Sequence, residues 1–303
     1  MVGSAISAHE LGHAYGNVVA LHHVDLDVPM GRIGLVGANG AGKTTFIKIL
    51  LGILHPTVGS ARVLGTDPAE DLVTVRNRIG YMPEESCLPV AQSAADFVAY
   101  AAELAGIPTR EARQRASDIL TMVGLHEERF RYLGDFSTGM KQRAMLAQAI
   151  VHDPEIVLLD EPTAGLDPAG REEMLELISR LGGFGINVLV SSHVLPDIEK
   201  TCDWVVMLDG GRVLRSGPLA GLTESDVVEV EVLEKAELVA TELGRLGASV
   251  EVHGNVIVLS SDQHDPFLMA RDALATTGAP LRRMGARSTT LEDIFLGEAP
   301  IDG

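Results

Sequence analysis

The sequence predicts an α/β fold built on a mainly parallel sheet, followed by a small α/β plait. Three observations predict it. Short buried runs of β-branched residues alternate with segments of helical period over residues 1–222. One such run stops at a glycine-rich turn that opens directly into a helix. From residue 223 onward the order becomes β-α-β-β-α-β, the order of a small plait.

The elements follow in chain order. Residues 18–28 alternate loosely and read as a strand, and 32–36 form a short apolar strand. From 42 to 54 the period is helical, with Phe46, Ile47, Leu50, Leu51 and Leu54 on one face. Strands are expected at 61–64 and 79–82, and helix over 91–124, broken at Gly106–Pro108. A helix over 139–151 precedes a buried strand at 156–160. A helix at 168–181, a strand at 188–191 and a hairpin of 205–208 with 212–215 across Gly210-Gly211 complete the first domain. The second domain, 223–303, opens with a period-two strand at 227–233 whose glutamates face outward. A helix at 236–246, a hairpin of 249–253 with 256–259 across Gly254-Asn255, a helix at 266–276 and a strand at 281–284 follow.

Composition narrows the function. The chain has 303 residues, 46% hydrophobic and 22% charged, enough apolar material for a core without disulfide staples. Lys and Arg total 24 against 42 Asp and Glu, a net charge of -18. That balance argues against a general nucleic-acid binder, whose affinity rests on cations. Residues 223–303 hold 15 acidic and 6 basic residues, about half of the net charge. Cys87 and Cys202 have no metal-site spacing and read as two reduced thiols. No run reaches the ~18 apolar residues of a membrane span, and residues 1–10 lack a signal-peptide pattern. The expected place is the cytosol, with any membrane role exercised through a partner.

Three segments carry chemistry. Gly37-Ala38-Asn39-Gly40-Ala41-Gly42-Lys43-Thr44 matches G-x-x-x-x-G-K-[ST] between a strand and a helix. Its glycines let backbone N–H groups converge on phosphate oxygens, and the helix start adds partial positive charge. Lys43 supplies a point charge for the β- and γ-phosphates and Thr44 a hydroxyl for Mg2+, with Thr45 counted among the nucleotide contacts. The second segment, Ile156-Val157-Leu158-Leu159-Asp160-Glu161, is an apolar strand delivering two acids where parallel sheets bind ligands. Asp160 is the expected direct or second-sphere partner of Mg2+. Glu161, one residue on, is placed to act as a general base toward water. The third, Phe136-Ser137-Thr138-Gly139-Met140-Lys141-Gln142-Arg143, offers a Ser137 cap and a helix start suited to an anion.

Together these segments resemble the ATP-binding subunit of an ABC transporter, over about residues 14–223. Ser137-x-Gly139 followed by Lys-Gln-Arg is similar to the family signature, with Thr138 and Met140 departing from its commonest form. The resemblance implies the rest of the site. Tyr15 stands where the family places a ring on adenine. Glu84, in Tyr81-Met82-Pro83-Glu84, stands where it usually places a Gln that serves Mg2+ and couples to the membrane partner. Gly165-Leu166-Asp167 resembles the loop that contacts the opposite subunit. Ser191-Ser192-His193 resembles the switch that senses the γ-phosphate. The family's fold adds an antiparallel β subdomain and a helical subdomain to the sheet core. Thr290-Leu291-Glu292-Asp293-Ile294-Phe295-Leu296 is similar to the ending of drug- and ion-export subunits with separate permeases.

The resemblance implies an ATPase using ATP and Mg2+ that powers export through a permease made by another chain. It is peripheral on the inner face of the cell membrane. Two copies, or this chain and a second ATP-binding subunit, sandwich the nucleotide, with Ser137 and Gly139 acting across the interface. The small C-terminal domain is assigned to dimer contact or regulation. Three rivals stand beside this reading. One is a soluble ABC-type ATPase acting on nucleic acid or ribosomes, which the acidic charge and single cassette disfavour. Another is a regulatory nucleotide-binding module, which the presence of Glu161 disfavours. The last comes from His9-Glu10-Leu11-Gly12-His13, an H-E-x-x-H pattern that on a helix would offer two imidazoles to zinc. The third histidine of its longer form is missing, since position 19 is Val19.

Overall fold

The computed structural model describes residues 3–220, 227–261, 264–286 and 291–292. The chain divides into two compact units, Met1–Leu219 and Ala220–Gly303. The boundary expected at 222/223 lies outside the described residues, as does most of the 290–296 segment.

The first unit is centred on a six-stranded sheet. Its strands are β3 (Arg32–Val36), β5 (Ile79–Met82), β6 (Ile156–Asp160), β7 (Asn187–Ser192), β8 (Trp204–Asp209) and β9 (Arg212–Pro218). Their order is β5-β6-β7-β3-β8-β9, parallel except for the terminal β8–β9 hairpin. All five residues of β6 are buried, which explains its unbroken apolar run. A second sheet, antiparallel, has the order β2-β1-β4, from β1 (Ser4–Tyr15), β2 (Val18–Pro29) and β4 (Val58–Val63). Phe46, Ile47 and Leu50 of helix α1 (Lys43–Leu50) join Leu11, Leu21, Ile33 and Leu35 in one core spanning both sheets.

The remaining helices are α2 (Leu72–Arg78), α3 (Ala94–Leu104), α4 (Thr109–Met122), α5 (Thr138–Ile150), α6 (Pro168–Gly183) and α7 (Leu195–Thr201). Helices α3, α4 and α5 pack on one another, and α5 lies against β5. The approach is close at Gly80, where an added Cβ would stand 2.0 Å from the Ala149 carbonyl oxygen.

In the second unit, β10 (Val228–Val232), β11 (Ser249–His253), β12 (Val256–Ser260) and β13 (Leu281–Ala286) form an antiparallel sheet ordered β11-β12-β10-β13. Helices α8 (Ala236–Arg245) and α9 (Pro266–Thr277) supply Val239, Leu243, Met269 and Ala270 to its core, against Val228, Val230 and Ile257. This is the plait read from the sequence.

Two features differ from expectation. Residues 4–15, read without a strand, form β1. Its pairing shifts register between Ser4 and Ile6, Ala8 and Leu11, Leu11 and His13, and His13 and Ala14, so the period of two is broken and the pattern hidden. The H-E-x-x-H segment therefore lies in a bulged strand and not on a helix. His9 Nδ1 lies 3.1 Å from Asp25 Oδ1, and His13 Nδ1 2.9 Å from the His55 carbonyl oxygen. The short helices α2 and α7 were also not anticipated. Cys87 is exposed and Cys202 buried, and burial pushes the Cys202 thiol up to about 12, keeping it neutral and inert.

Gly80→Ala should force backbone apart between β5 and α5. A loss of about 3 kcal/mol is expected, read as a lower urea midpoint; an unchanged midpoint would mean that β5 and α5 stand further apart.

Candidate active site

Parallel strands deliver their carboxyl ends to one edge, and the candidate residues sit there. The 37–42 loop follows β3, Glu84 follows β5, Asp160 ends β6 with Glu161 next, and His193 follows β7.

The loop needs glycine at two places. A Cβ on Gly37 would fall 2.3 Å from the Leu208 carbonyl oxygen, and Gly42 has a φ of 104° with Ala20 O 2.7 Å from its would-be Cβ. The loop is also laced to its neighbours by main chain. The Gly211 N–H donates to the Ala41 carbonyl (3.1 Å), and the His22 N–H to that of Gly211 (2.8 Å). Helix α1 begins at Lys43 with no side-chain cap, so its first N–H groups are available to an anion.

Lys43 is only 6% exposed. Its Nζ donates to the Gly37 carbonyl at 2.6 Å and the Ala38 carbonyl at 3.4 Å, and lies 3.4 Å from Glu161 Oε1. These acceptors occupy the ammonium as phosphate oxygens would. A cavity of about 290 Å³ opens here, lined by Ala20, Ala38, Asn39, Gly40, Ala41, Gly42, Lys43, Thr44, Thr45, Glu84 and Glu161.

Glu161 is the most constrained residue of the site. Its φ is 48°, in the left-handed region that a β-unbranched acid adopts only when neighbours enforce it. Its N–H donates to the Ser191 carbonyl (3.1 Å) and Ser191 Oγ (3.2 Å). Its Oε2 lies 2.9 Å from His193 Nδ1. Its Oε1 is buried without a hydrogen bond and stands at ion-pair distance, 3.4 Å, from Lys43 Nζ. An unspent carboxylate oxygen in a cavity is an acceptor for a water proton. Asp160, 1% exposed, accepts from Ser191 Oγ and does not line the cavity. Burial, and then the charges of Asp160 and Glu84, push Tyr81 up to about 12, so its phenol stays neutral.

The side-chain oxygens of the cavity lining belong to the Asn39 amide, the Thr44 and Thr45 hydroxyls and the Glu84 and Glu161 carboxylates. An all-oxygen, acidic set fits a hard cation such as Mg2+.

Four candidates lie elsewhere. Ser137 caps α5 by accepting from the Met140 N–H at 3.3 Å, and Asp167 caps α6 by accepting from that of Gly170 at 3.0 Å. Gly139 adjoins the 165–167 loop, with Leu166 Cδ2 3.8 Å from its would-be Cβ. Tyr15, half exposed, stands edge-on to His13 with centroids 4.7 Å apart. None of the four lines the cavity. Sequence reasoning missed Ser191, which holds both Asp160 and Glu161, and Ala20, whose carbonyl bounds the loop. A serine facing Asp160 across a strand pair carries no sequence signal until the register is known.

Comparison with known proteins fits this geometry. Residues 21–164 match the profile of the family described as ABC transporter. An ABC transporter ATP-binding protein, YxlF, of Bacillus subtilis (strain 168) is 33% identical over 296 residues, covering 96% of this chain and 98% of that protein. The daunorubicin/doxorubicin resistance ATP-binding protein DrrA of Streptomyces peucetius is 30% identical over 301 residues, 96% of this chain and 91% of that one. Among solved structures, an ATP-binding subunit of an ABC transporter superposes with a TM-score of 0.65 at 30% identity, over 72% of this chain and 92% of that one.

Lys43→Ala removes the buried cation from the loop. ATP affinity should fall by about tenfold or more in a fluorescent-nucleotide titration of the folded variant; unchanged affinity would contradict the placement of phosphate at this loop.

Proposed function

As the chain belongs to the ABC transporter family and carries its ATPase domain, we propose that it powers export of a substrate through a membrane permease formed by a separate chain. The observation that carries the reading is one cavity that joins the phosphate loop, the buried Lys43 and the unspent oxygen of Glu161, with His193 on that carboxylate's other oxygen. The name of a Burkholderia orbicola relative, Nod factor export ATP-binding protein I, 32% identical over 93% of this chain and 92% of that one, and the 290–296 segment favour the export direction. No helix of the described residues is long and apolar enough to cross a membrane; in this reading the spans belong to the permease, and the chain sits on its cytoplasmic side.

Each residue then has a task. The loop N–H groups from Asn39 to Thr45 and the start of α1 bind the phosphates. Lys43 exchanges its carbonyl partners for phosphate oxygens. Thr44 and Glu84 would hold Mg2+ in the cavity, with Asp160 a second-sphere partner, and the ion would neutralise charge on the phosphates. Glu161 accepts the proton of the attacking water through Oε1, while His193 orients the carboxylate through Oε2 and faces the γ-phosphate. Tyr15 is assigned to the adenine face.

The signature segment lies outside this chain's cavity, which supports a site completed by a second chain, identical or related. Ser137, Gly139 and Asp167 act there on the partner's nucleotide. Two chains as acidic as this one repel each other without ligand, so nucleotide binding closes the pair and hydrolysis reopens it. The C-terminal unit is assigned to dimer contact or regulation. A chain ending at Leu222 should still bind ATP; a folded truncation without affinity would overturn that division of labour.

Glu161→Gln should keep ATP affinity, lose turnover by at least about a hundredfold, and dimerise with ATP and Mg2+ in light scattering. A variant that stays monomeric at saturating ATP would overturn the shared site.

A further inference from the structure

Glu161 and His193 directly follow different strands, β6 and β7, and their 2.9 Å contact depends on how the chain continues from each of them. Glu161 leaves through a tight turn closed by the Ala164 N–H on the Glu161 carbonyl at 3.1 Å. Inside that turn Thr163 Oγ1 donates to Asp197 Oδ2 at 2.9 Å. Asp197 lies four residues beyond His193, in the first turn of α7, and is 3% exposed. Its other oxygen accepts from Arg171 Nε at 2.8 Å and pairs with Nη2 at 2.7 Å, in the first turns of α6 beyond Asp167. Its own backbone is fixed from both sides, by its N–H on the Val194 carbonyl and by Thr201 Oγ1 on its carbonyl.

We propose that Asp197 is a positioning residue that holds Glu161 and His193 in register by clamping the turn after Glu161 to the helix after His193. The proposal deepens the assignment of Glu161 as base and rests on it. Three physical points support it. A left-handed glutamate persists only where its surroundings over-determine it, and Ser191 fixes only its amino side. On the carboxyl side the Thr163–Asp197 bond ties its turn to α7. Burying a carboxylate is costly unless it is paired and hydrogen-bonded, and Arg171 and Thr163 together supply both for Asp197. The clamp also joins the segments after Glu161, Asp167 and His193, so a shift in any one is transmitted to the other two. Asp197 touches no part of the cavity that holds the phosphate loop, so its loss should alter turnover and not nucleotide capture.

The test uses the full chain and the variants Thr163→Val, Thr163→Ser and Asp197→Asn. Thr163→Val keeps the side-chain shape and the Arg171–Asp197 pair while removing the one hydrogen bond to the turn. Its kcat should fall between about tenfold and a hundredfold, with KM and nucleotide affinity within about twofold, while the melting midpoint falls by only a few degrees as Asp197 Oδ2 loses its donor. Thr163→Ser, which restores the hydroxyl, should recover most of the rate. Asp197→Asn should follow Thr163→Val; if it fails to fold, the Thr163 pair decides. Wild-type kcat in Thr163→Val, an equal loss in Thr163→Ser, or a KM that moves with kcat would overturn the proposal alone, provided Glu161→Gln is inactive. Normal turnover in Glu161→Gln would overturn the base assignment and the clamp with it.

Discussion

A lysine ammonium almost wholly withdrawn from water is the constraint around which the first unit is arranged. Burying it is costly unless its charge is met at close range. Here it is met by two main-chain carbonyls of the loop that precedes it and by a carboxylate from another strand. The loop can curl back on the lysine only because Gly37 and Gly42 let the backbone run against Leu208 and Ala20. The carboxylate arrives because β7 separates β6 from β3 and offers Ser191 to both Asp160 and Glu161. The sheet order thus sets the distance between the Lys43 ammonium and the Glu161 carboxylate.

Much of this was legible in the sequence, for identifiable reasons. The phosphate loop, the β6 carboxylates and the β8–β9 hairpin are contiguous, so their spacing survives without knowledge of the fold. The C-terminal plait was readable because Val228, Val230 and Val232 keep a strict period of two and Gly254-Asn255 makes a two-residue turn. Strand β1 was hidden by its bulges, and the helix that its H-E-x-x-H pattern would need for zinc, already disfavoured by Gly12, is excluded by the pairing with β2 and β4. Helix α7 is seven residues long and carries a proline in its first turn, too short for a periodic signal. What could not be read at all was contact between distant segments. Thr163, Arg171 and Asp197 are ordinary residues one by one, and their meeting is a property of the tertiary fold.

Ser137 and Asp167 share a local role but differ toward an anion. Each completes the N-terminus of its own helix, satisfying backbone donors that would otherwise be orphaned. The Ser137 hydroxyl, while accepting from the Met140 N–H, keeps its own O–H to donate to an anion beside the N–H dipoles behind it, whereas the Asp167 carboxylate has no donor to offer.

The hydrogen bonds from His22 to Gly211 and from Gly211 to Ala41 run entirely through main chain. They fasten β2, the β8–β9 turn and the phosphate loop without a single side chain taking part. Substitutions at exposed positions of the β1–β2 ribbon, such as Tyr15 and Val18, therefore spare these main-chain bonds between ribbon and loop, while altering what the ribbon presents. In evolutionary terms the two ends of the cleft are separable traits. The exposed face of the ribbon can drift in sequence, and the phosphate loop keeps its main-chain anchors while it does so.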